Sequence, residues 1–315
     1  MPSLSESKLR TLLLAKTFYG RAVQSVEFEH IGAFSRESRL ARVHVLLDGQ
    51  PAKHLVLRAN VWPLWAERIA TAVSRRGAIR APAPVFYDRA SGIVLYEELA
   101  GKPLRALPLT DRTLRPLMAP LGSLLAEFQL IPAPREVPRI SLAAANRLRS
   151  QHIRAITQAD RAFGQRARAI SIEASLLMKE HWKPKNLLLT HGDFQASNIL
   201  LDKKLGLGLI DFTLSRKYLP VSDLGAFIVH FHAMARARLS ERERRLLLRK
   251  FVAAYFKIIP IKSMSGIRSS LRLFVAEAAL DVAATTLRSY GAKDKNGRAL
   301  TSLILSPDFL STTYV

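Results

Sequence analysis

Two short apolar runs, Ile199-Leu200-Leu201 and Leu205 to Ile210, flank the polar stretch Asp202-Lys203-Lys204. Runs of this length around a polar turn define a β-hairpin. Asn198 stands immediately before the first run and Asp211 immediately after the second. Pairing about a centre near Lys204 and Leu205 sets these two residues opposite each other. The hairpin is therefore expected to carry an amide oxygen and a carboxylate to one end of a rigid element.

A second carboxylate precedes the hairpin. The segment reads His191-Gly192-Asp193-Phe194-Gln195-Ala196-Ser197-Asn198, and Asp193 sits in a loop after the apolar run Leu187 to Leu189. Two acids and one amide in this order suit metal-assisted phosphoryl transfer. One carboxylate orients a hydroxyl, while the amide oxygen and the other carboxylate hold Mg²⁺ against nucleotide phosphates. Mg²⁺ takes hard oxygen ligands and tolerates little misplacement, so a rigid support makes chemical sense. Asp and Asn taken singly are ordinary turn residues. Their order and spacing point to a kinase of small molecules.

His191-Gly192-Asp193 with Asn198, followed by Ile210-Asp211-Phe212, resembles the aminoglycoside phosphotransferase and choline kinase branch of the protein-kinase-like superfamily. That branch has His-Gly-Asp where protein kinases have His-Arg-Asp, and often Asp-Phe or Asp-Trp without a following glycine. Thr213 occupies the glycine position here. Asp223-Leu224-Gly225 is similar to the branch's later Asp-Leu-Ala signature. The likeness runs from about Val26 to Phe231 and is most specific between Leu189 and Gly225.

The resemblance implies ATP and Mg²⁺ as cofactors and gives each residue a role. Asp193 is the catalytic carboxylate, and Asn198 and Asp211 are the metal ligands. Arg58 stands where a phosphate-pairing lysine is usual, with Glu67 as its helix partner. Ser35, within Gly32 to Ser38, belongs to a phosphate-covering loop that has one glycine rather than three. The Glu97 carbonyl and the Leu99 amide are the hinge groups for adenine. His191 and Asp223 brace the catalytic loop by hydrogen bonding.

Periodicity supplies the frame. Val26 to Ile31, Arg39 to Leu47 and His54 to Arg58 carry strand-type residues, with a turn at Asp48-Gly49 and Pro51. Trp65 to Arg76 reads as a helix with Ile69, Ala70 and Val73 on one face, stopped by Gly77. Residues 85–87 and 93–96 form a further hairpin. Helices are expected over 114–131, 142–156, 159–182, 240–258 and 268–290, and Ser240-Glu241-Arg242-Glu243 carries a capping-box signature. The expected fold class is α+β, a bilobal protein-kinase-like fold. Its N-terminal lobe, residues 1–100, combines a small antiparallel sheet with a helix and has a leading helix at about 4–19. Its larger C-terminal lobe, residues 101–315, is mainly helical and binds the acceptor.

Composition narrows the remaining choices. The chain of 315 residues has no cysteine, which excludes disulfides and thiolate metal sites and suits a reducing, cytoplasmic setting. The apolar run Leu12 to Ala15 is too short for a signal peptide, and no stretch has the apolar length of a membrane span. The formal charge is +23. It is spread along the chain, with basic clusters in 146–154, 161–168 and 236–250. Such a field attracts anions and repels cations. The preferred acceptor is therefore a neutral or anionic small molecule with a hydroxyl, such as a sugar or lipid-linked saccharide. Aminoglycosides and choline-like amino alcohols are the alternative substrate class. A non-catalytic pseudokinase, or a protein that binds anionic surfaces, is the alternative function. Loose association with the anionic inner face of a membrane fits the charge. Nucleic acid fits it poorly, because aromatics are not interleaved with the arginines. His230 and His232, two apart, make a poor metal pair on a helix, and Trp62, Trp65 and Trp182 read as packing residues.

Overall fold

A computed structural model describes residues 6–30, 39–49, 53–59, 64–76, 79–88, 92–183, 186–259, 271–290, 294–306 and 309. The chain divides into two compact units. One comprises Met1–Ala100 with Gly208–Thr213, and the other Gly101–Leu207 with Leu214–Val315.

The first unit is built on a six-stranded antiparallel sheet of order β1-β2-β3-β4-β6-β5. Its strands are β1 (Thr17–Phe18), β2 (Arg21–His30), β3 (Arg39–Leu47), β4 (Lys53–Ala59), β5 (Pro84–Asp88) and β6 (Ile93–Glu97). Alternation along β2, β3 and β4 puts Val26, Val43, Val45, Leu55 and Leu57 on a buried face, where Leu9 and Leu13 of α1 (Glu6–Leu14) join them. The leading helix is shorter than the expected 4–19. It stops at Leu14, and Thr17 and Phe18 pair with Ala22 and Arg21 instead. The turn between them places Tyr19 and Gly20 at positive φ, 54° and 75°. An aromatic beside a β-branched residue gains more from the ladder than from another helical turn. The helix α2 (Leu64–Arg76) buries Ala66, Ile69, Ala70 and Val73, the apolar face expected from the sequence.

The second unit is mainly helical. Its helices are α3 (Asp111–Gln129), α4 (Leu142–Ala159), α5 (Arg161–His181), α6 (Val221–Ala235), α7 (Glu241–Ile258), α8 (Leu271–Tyr290) and α9 (Lys295–Ile304). Side-chain caps at Thr110, Ser141, Asp160 and Asp294 start four of them, and Ser240 with Glu243 forms the expected capping box on α7. The helix α9 was not legible in the sequence. Among the pairs, α3 packs on α7 and α6 on α8. The α6–α8 approach explains a departure from the signature. A Cβ at Gly225 meets the Phe274 carbonyl group at 2.5 Å, so the alanine usual at this position does not fit.

Short strands frame the loop that carries the signature. They are β7 (Lys102–Pro103), β8 (Leu188–Thr190), β9 (Ile199–Asp202), β10 (Gly206–Leu209) and β11 (Arg216–Tyr218). The strands β9 and β10 lie where the apolar runs place them. The Asp202 carboxylate caps their turn by accepting from the Lys204 and Leu205 amides, both at 2.8 Å.

Candidate active site

The signature loop begins where β8 ends. Antiparallel pairing with β11 fixes Thr190 opposite Arg216, and the Ser215 hydroxyl donates to the His191 carbonyl at 3.1 Å. Gly192 then turns the chain at φ 80°. A Cβ there meets the Leu214 carbonyl oxygen at 2.1 Å, so only glycine fits. Phe194 is fully buried and anchors the far side of the turn, with ring centroids 5.6 Å from Phe227 and 6.5 Å from Phe251. The polar residues between these anchors are thereby held in place.

A buried carboxylate fastens the loop from below. Asp223, 1% exposed, accepts from the His191 amide at 2.7 Å and the Gly192 amide at 2.9 Å. It also accepts from Gln129 Nε2 at 2.9 Å. Gln129 in turn donates to the Pro220 carbonyl at 2.8 Å and accepts from the Tyr255 hydroxyl at 2.7 Å. Burial first, and then the nearby Asp223 charge, push the Tyr255 phenol well above its ordinary range, so it stays a neutral donor. His191 braces the same turn by accepting from the Asp193 amide through Nδ1 at 3.3 Å. Sequence reasoning identified Asp223 and His191 in these roles. It missed Gln129 and Tyr255, which lie 94 and 32 residues from Asp223 and belong to no recognisable local pattern.

Asp193 and Asn198 are brought together. The Asn198 amide nitrogen donates to Asp193 Oδ2 at 2.7 Å and to the Asp193 carbonyl at 2.9 Å. Gln195 Nε2 donates to Asp193 Oδ1 at 2.8 Å. Turning its nitrogen toward Asp193 leaves Asn198 Oδ1 without a donor among the described residues. An amide oxygen in that state is a suitable hard ligand for Mg²⁺.

Asp211 belongs to the first unit. It takes φ 67°, unusual for a residue other than glycine, and its Oδ1 accepts from the Thr213 hydroxyl at 2.5 Å and from the Thr213 amide at 3.4 Å. Thr213 therefore has a definite task at the position where protein kinases have glycine. Asn198 immediately precedes β9, and Asp211 follows β10 by two residues.

The remaining predicted residues are placed unevenly. Arg58 lies on β4 in register with Val94 and Leu40. Its side chain lies outside the described residues, as does Ser35 with its loop, and so does Trp62. Glu67 is in the first turn of α2, with Arg68 Nε at 3.9 Å. The hinge segment is held on both sides. Tyr19 donates to the Glu97 carboxylate at 2.6 Å, and Arg42 grips Glu98 through Nε and Nη2 at 3.0 and 2.8 Å. The Leu99 amide has no backbone acceptor among the described residues.

A small pocket opens beside the loop within the second unit. Gly192 and Asp223 form part of its wall, and Arg149, Arg216, Glu277 and Asp281 supply charged groups. Glu277 and Asp281 stand one turn apart on α8. His230 lines this cavity, whereas His232 is buried and accepts from Arg244 Nε at 3.1 Å. The two histidines thus occupy different surroundings. Trp182 packs edge-on against Tyr218, with centroids 5.2 Å apart.

A loop braced from beneath, a paired acid and amide, and a pocket beside them are the features of a phosphotransferase built on the kinase-like fold. The sequence model of the phosphotransferase enzyme family matches residues 64–262, and the chain belongs to that family. No curated protein sequence matches it. Solved structures share the fold. Spectinomycin phosphotransferase, solved with ADP and spectinomycin, is 14% identical with a TM-score of 0.59, covering 98% of this chain and 97% of its own. An amicoumacin kinase is 11% identical with a TM-score of 0.68, covering 99% and 95%. An ethanolamine kinase of Plasmodium vivax is 16% identical with a TM-score of 0.57, covering 92% and 84%.

Proposed function

We propose that this phosphotransferase moves the γ-phosphoryl group of ATP to a hydroxyl of a small molecule that is neutral or anionic. The observation that carries this reading is the Asn198–Asp193 pair, in which one amide steadies the carboxylate through its nitrogen and keeps its oxygen for a metal. Asp193 orients the acceptor hydroxyl and accepts its proton late, as the bond to phosphorus forms. An ordinary carboxylate suffices for this, because the alcohol becomes acidic only at that stage. Both Asp193 oxygens already accept one hydrogen bond, and each retains a lone pair for the hydroxyl.

Asn198 Oδ1 and the Asp211 carboxylate are the protein ligands in this reading. Mg²⁺, when bound, neutralises charge on the transferred phosphate. Arg58 steadies the phosphates with Glu67 behind it, and Ser35 belongs to the loop that covers them. Adenine meets the Glu97 carbonyl and the Leu99 amide. ADP in the spectinomycin phosphotransferase, and AMP-PNP with Ca²⁺ in the amicoumacin kinase, support the choice of nucleotide and divalent metal.

The acceptor is argued from charge. A field of +23 disfavours cationic compounds, which supports a sugar, a phosphorylated metabolite or a lipid-linked saccharide. The cationic alternative draws on Glu277 and Asp281 and on the antibiotic and ethanolamine substrates of the neighbours. A transfer screen with labelled ATP decides between them, testing neutral and anionic sugars against aminoglycosides and choline. A cationic winner overturns the charge argument and leaves the kinase reading intact. No transfer together with no Mg·ATP binding favours a pseudokinase. A cytoplasmic setting with loose contact to an anionic membrane is part of the same proposal. Ile172 and Leu176 are exposed on α5, whose other exposed residues include Arg168 and Lys179, and co-sedimentation with anionic vesicles tests that contact.

A further inference from the structure

Resting on the kinase reading and its hinge, we infer that Tyr19 and Arg42 are positioning residues for the nucleotide base. They clamp Glu97 and Glu98 and so aim the hinge main chain that meets adenine.

The strained turn at Tyr19 is the first argument. Tyr19 and Gly20 join β1 to β2, and both take positive φ, 54° and 75°. The first place of such a two-residue turn suits Asn, Asp or Gly, and a tyrosine there carries steric strain. Core packing does not account for it, because the residue is 49% exposed. Its hydroxyl instead donates to Glu97 Oε1 at 2.6 Å, across 78 residues of chain. The Lys53 ammonium lies over the ring at 5.3 Å and steadies it. Partial burial, then the bond to Glu97, raise the phenol above its ordinary range, so it remains a donor. Backbone strain kept at an exposed side chain with one distant partner marks that contact as the reason for the residue.

The form of the Arg42 contact is the second. Arg42 stands on β3 opposite Glu29 of β2. Its Nε donates to both Glu98 carboxylate oxygens at 3.0 Å and its Nη2 to Oε1 at 2.8 Å, while Nη1 donates to Glu29 Oε2 at 2.7 Å. All three guanidinium nitrogens are thus engaged between a sheet strand and the hinge. A planar fork on a carboxylate fixes its orientation as well as its place. The three side chains are 29–51% exposed, and ion pairs at that exposure add little to stability. Their effect is on geometry.

The main chain is the third. The Glu97 amide donates to the Ala83 carbonyl at 2.9 Å, and the Glu98 amide to the His54 carbonyl at 3.2 Å, on the side of β4. Successive residues of an extended chain turn their polar groups to alternate sides. The Leu99 amide therefore follows the direction of the Glu97 main chain, and no backbone group among the described residues accepts from it. Glu98 lies between the two adenine-facing groups, so rotation of this one residue swings both. A grip on its carboxylate resists that rotation.

Calorimetric titration of the full chain tests this, with Mg·ATP and Mg·tripolyphosphate as probes that share a phosphate chain and differ in the base. The double variant Tyr19→Phe with Arg42→Gln is expected to bind Mg·ATP at least ~5-fold more weakly than wild type, with tripolyphosphate affinity unchanged. Its melting temperature should stay within a few degrees of wild type, since both contacts are exposed. Arg42→Lys keeps the charge and loses the fork, so it should weaken ATP nearly as much as Arg42→Gln. If the double variant does not fold, Tyr19→Phe alone, which deletes one exposed hydroxyl, carries the same comparison with a loss of ~2–3-fold for ATP only. Unchanged ATP affinity, or equal losses for ATP and tripolyphosphate, overturns the inference. Those failures show only in the variants, whereas wild-type protein that binds neither probe overturns the kinase reading and this inference with it.

Discussion

The Asn198 side-chain nitrogen lies 2.7 Å from Asp193 Oδ2 and 2.9 Å from the Asp193 carbonyl, so one amide fixes both the backbone and the carboxylate of the acid before it. The two residues therefore act as a unit. Replacing either should alter the other's position, so their effects on activity are expected to be non-additive.

Asp193→Asn keeps the shape of the side chain and removes its charge. The variant is expected to fold and to bind Mg·ATP, while turnover falls by roughly 10²–10⁴-fold. Steady-state kinetics beside nucleotide titration read both quantities. Wild-type turnover in this variant would falsify the assignment of Asp193 as the base.

Asp211→Asn probes the metal rather than the proton. Asparagine tolerates the positive φ that Asp211 adopts, so the local backbone is expected to persist. Nucleotide affinity measured with Mg²⁺ should fall well below the wild-type value, and affinity measured in chelator should barely change. Equal losses in both conditions would show that Asp211 acts on the fold and not on the metal.

Tyr255→Phe removes the donor to Gln129 Oε1 and leaves a buried acceptor unpaired. The expected cost is roughly 1–3 kcal/mol, read as a lower urea midpoint. Asp223→Ala should cost more, because the His191 and Gly192 amides and Gln129 all lose their common acceptor. Both variants should lower kcat more than they raise the KM for ATP, since the braced element carries Asp193.

Acid should destabilise the protein through His232. Burial, then the Arg244 and Arg245 charges, hold its imidazole down to about 3, whereas the unfolded value is near 6.5. The folded state thus binds fewer protons than the unfolded state between these values. Stability is full above the unfolded value and declines as pH falls from about 6.5 towards 3. The loss between about pH 7 and 5 is expected to be about 2 kcal/mol. His232→Asn, which keeps an acceptor for Arg244, should flatten this slope in pH-dependent urea melts. An unchanged slope would assign the acid sensitivity to other groups.

The sequence by itself determined the parts governed by neighbours along the chain. The β9–β10 hairpin, the capping box at Ser240, the apolar face of α2 and the order Asp193, Asn198, Asp211 all rest on turn chemistry and periodicity, which act over a few residues. Where two local preferences competed, as between helix and strand at Thr17-Phe18, only pairing with Arg21 and Ala22 decided the outcome. Tertiary structure alone brought Gln129 and Tyr255 under the loop, and assembled Arg149, Arg216, Tyr218 and Glu277 around one cavity. Those four come from α4, β11 and α8, and no spacing rule links them. Their meeting follows from helix packing, which depends on the shape of whole faces rather than on any short run of residues.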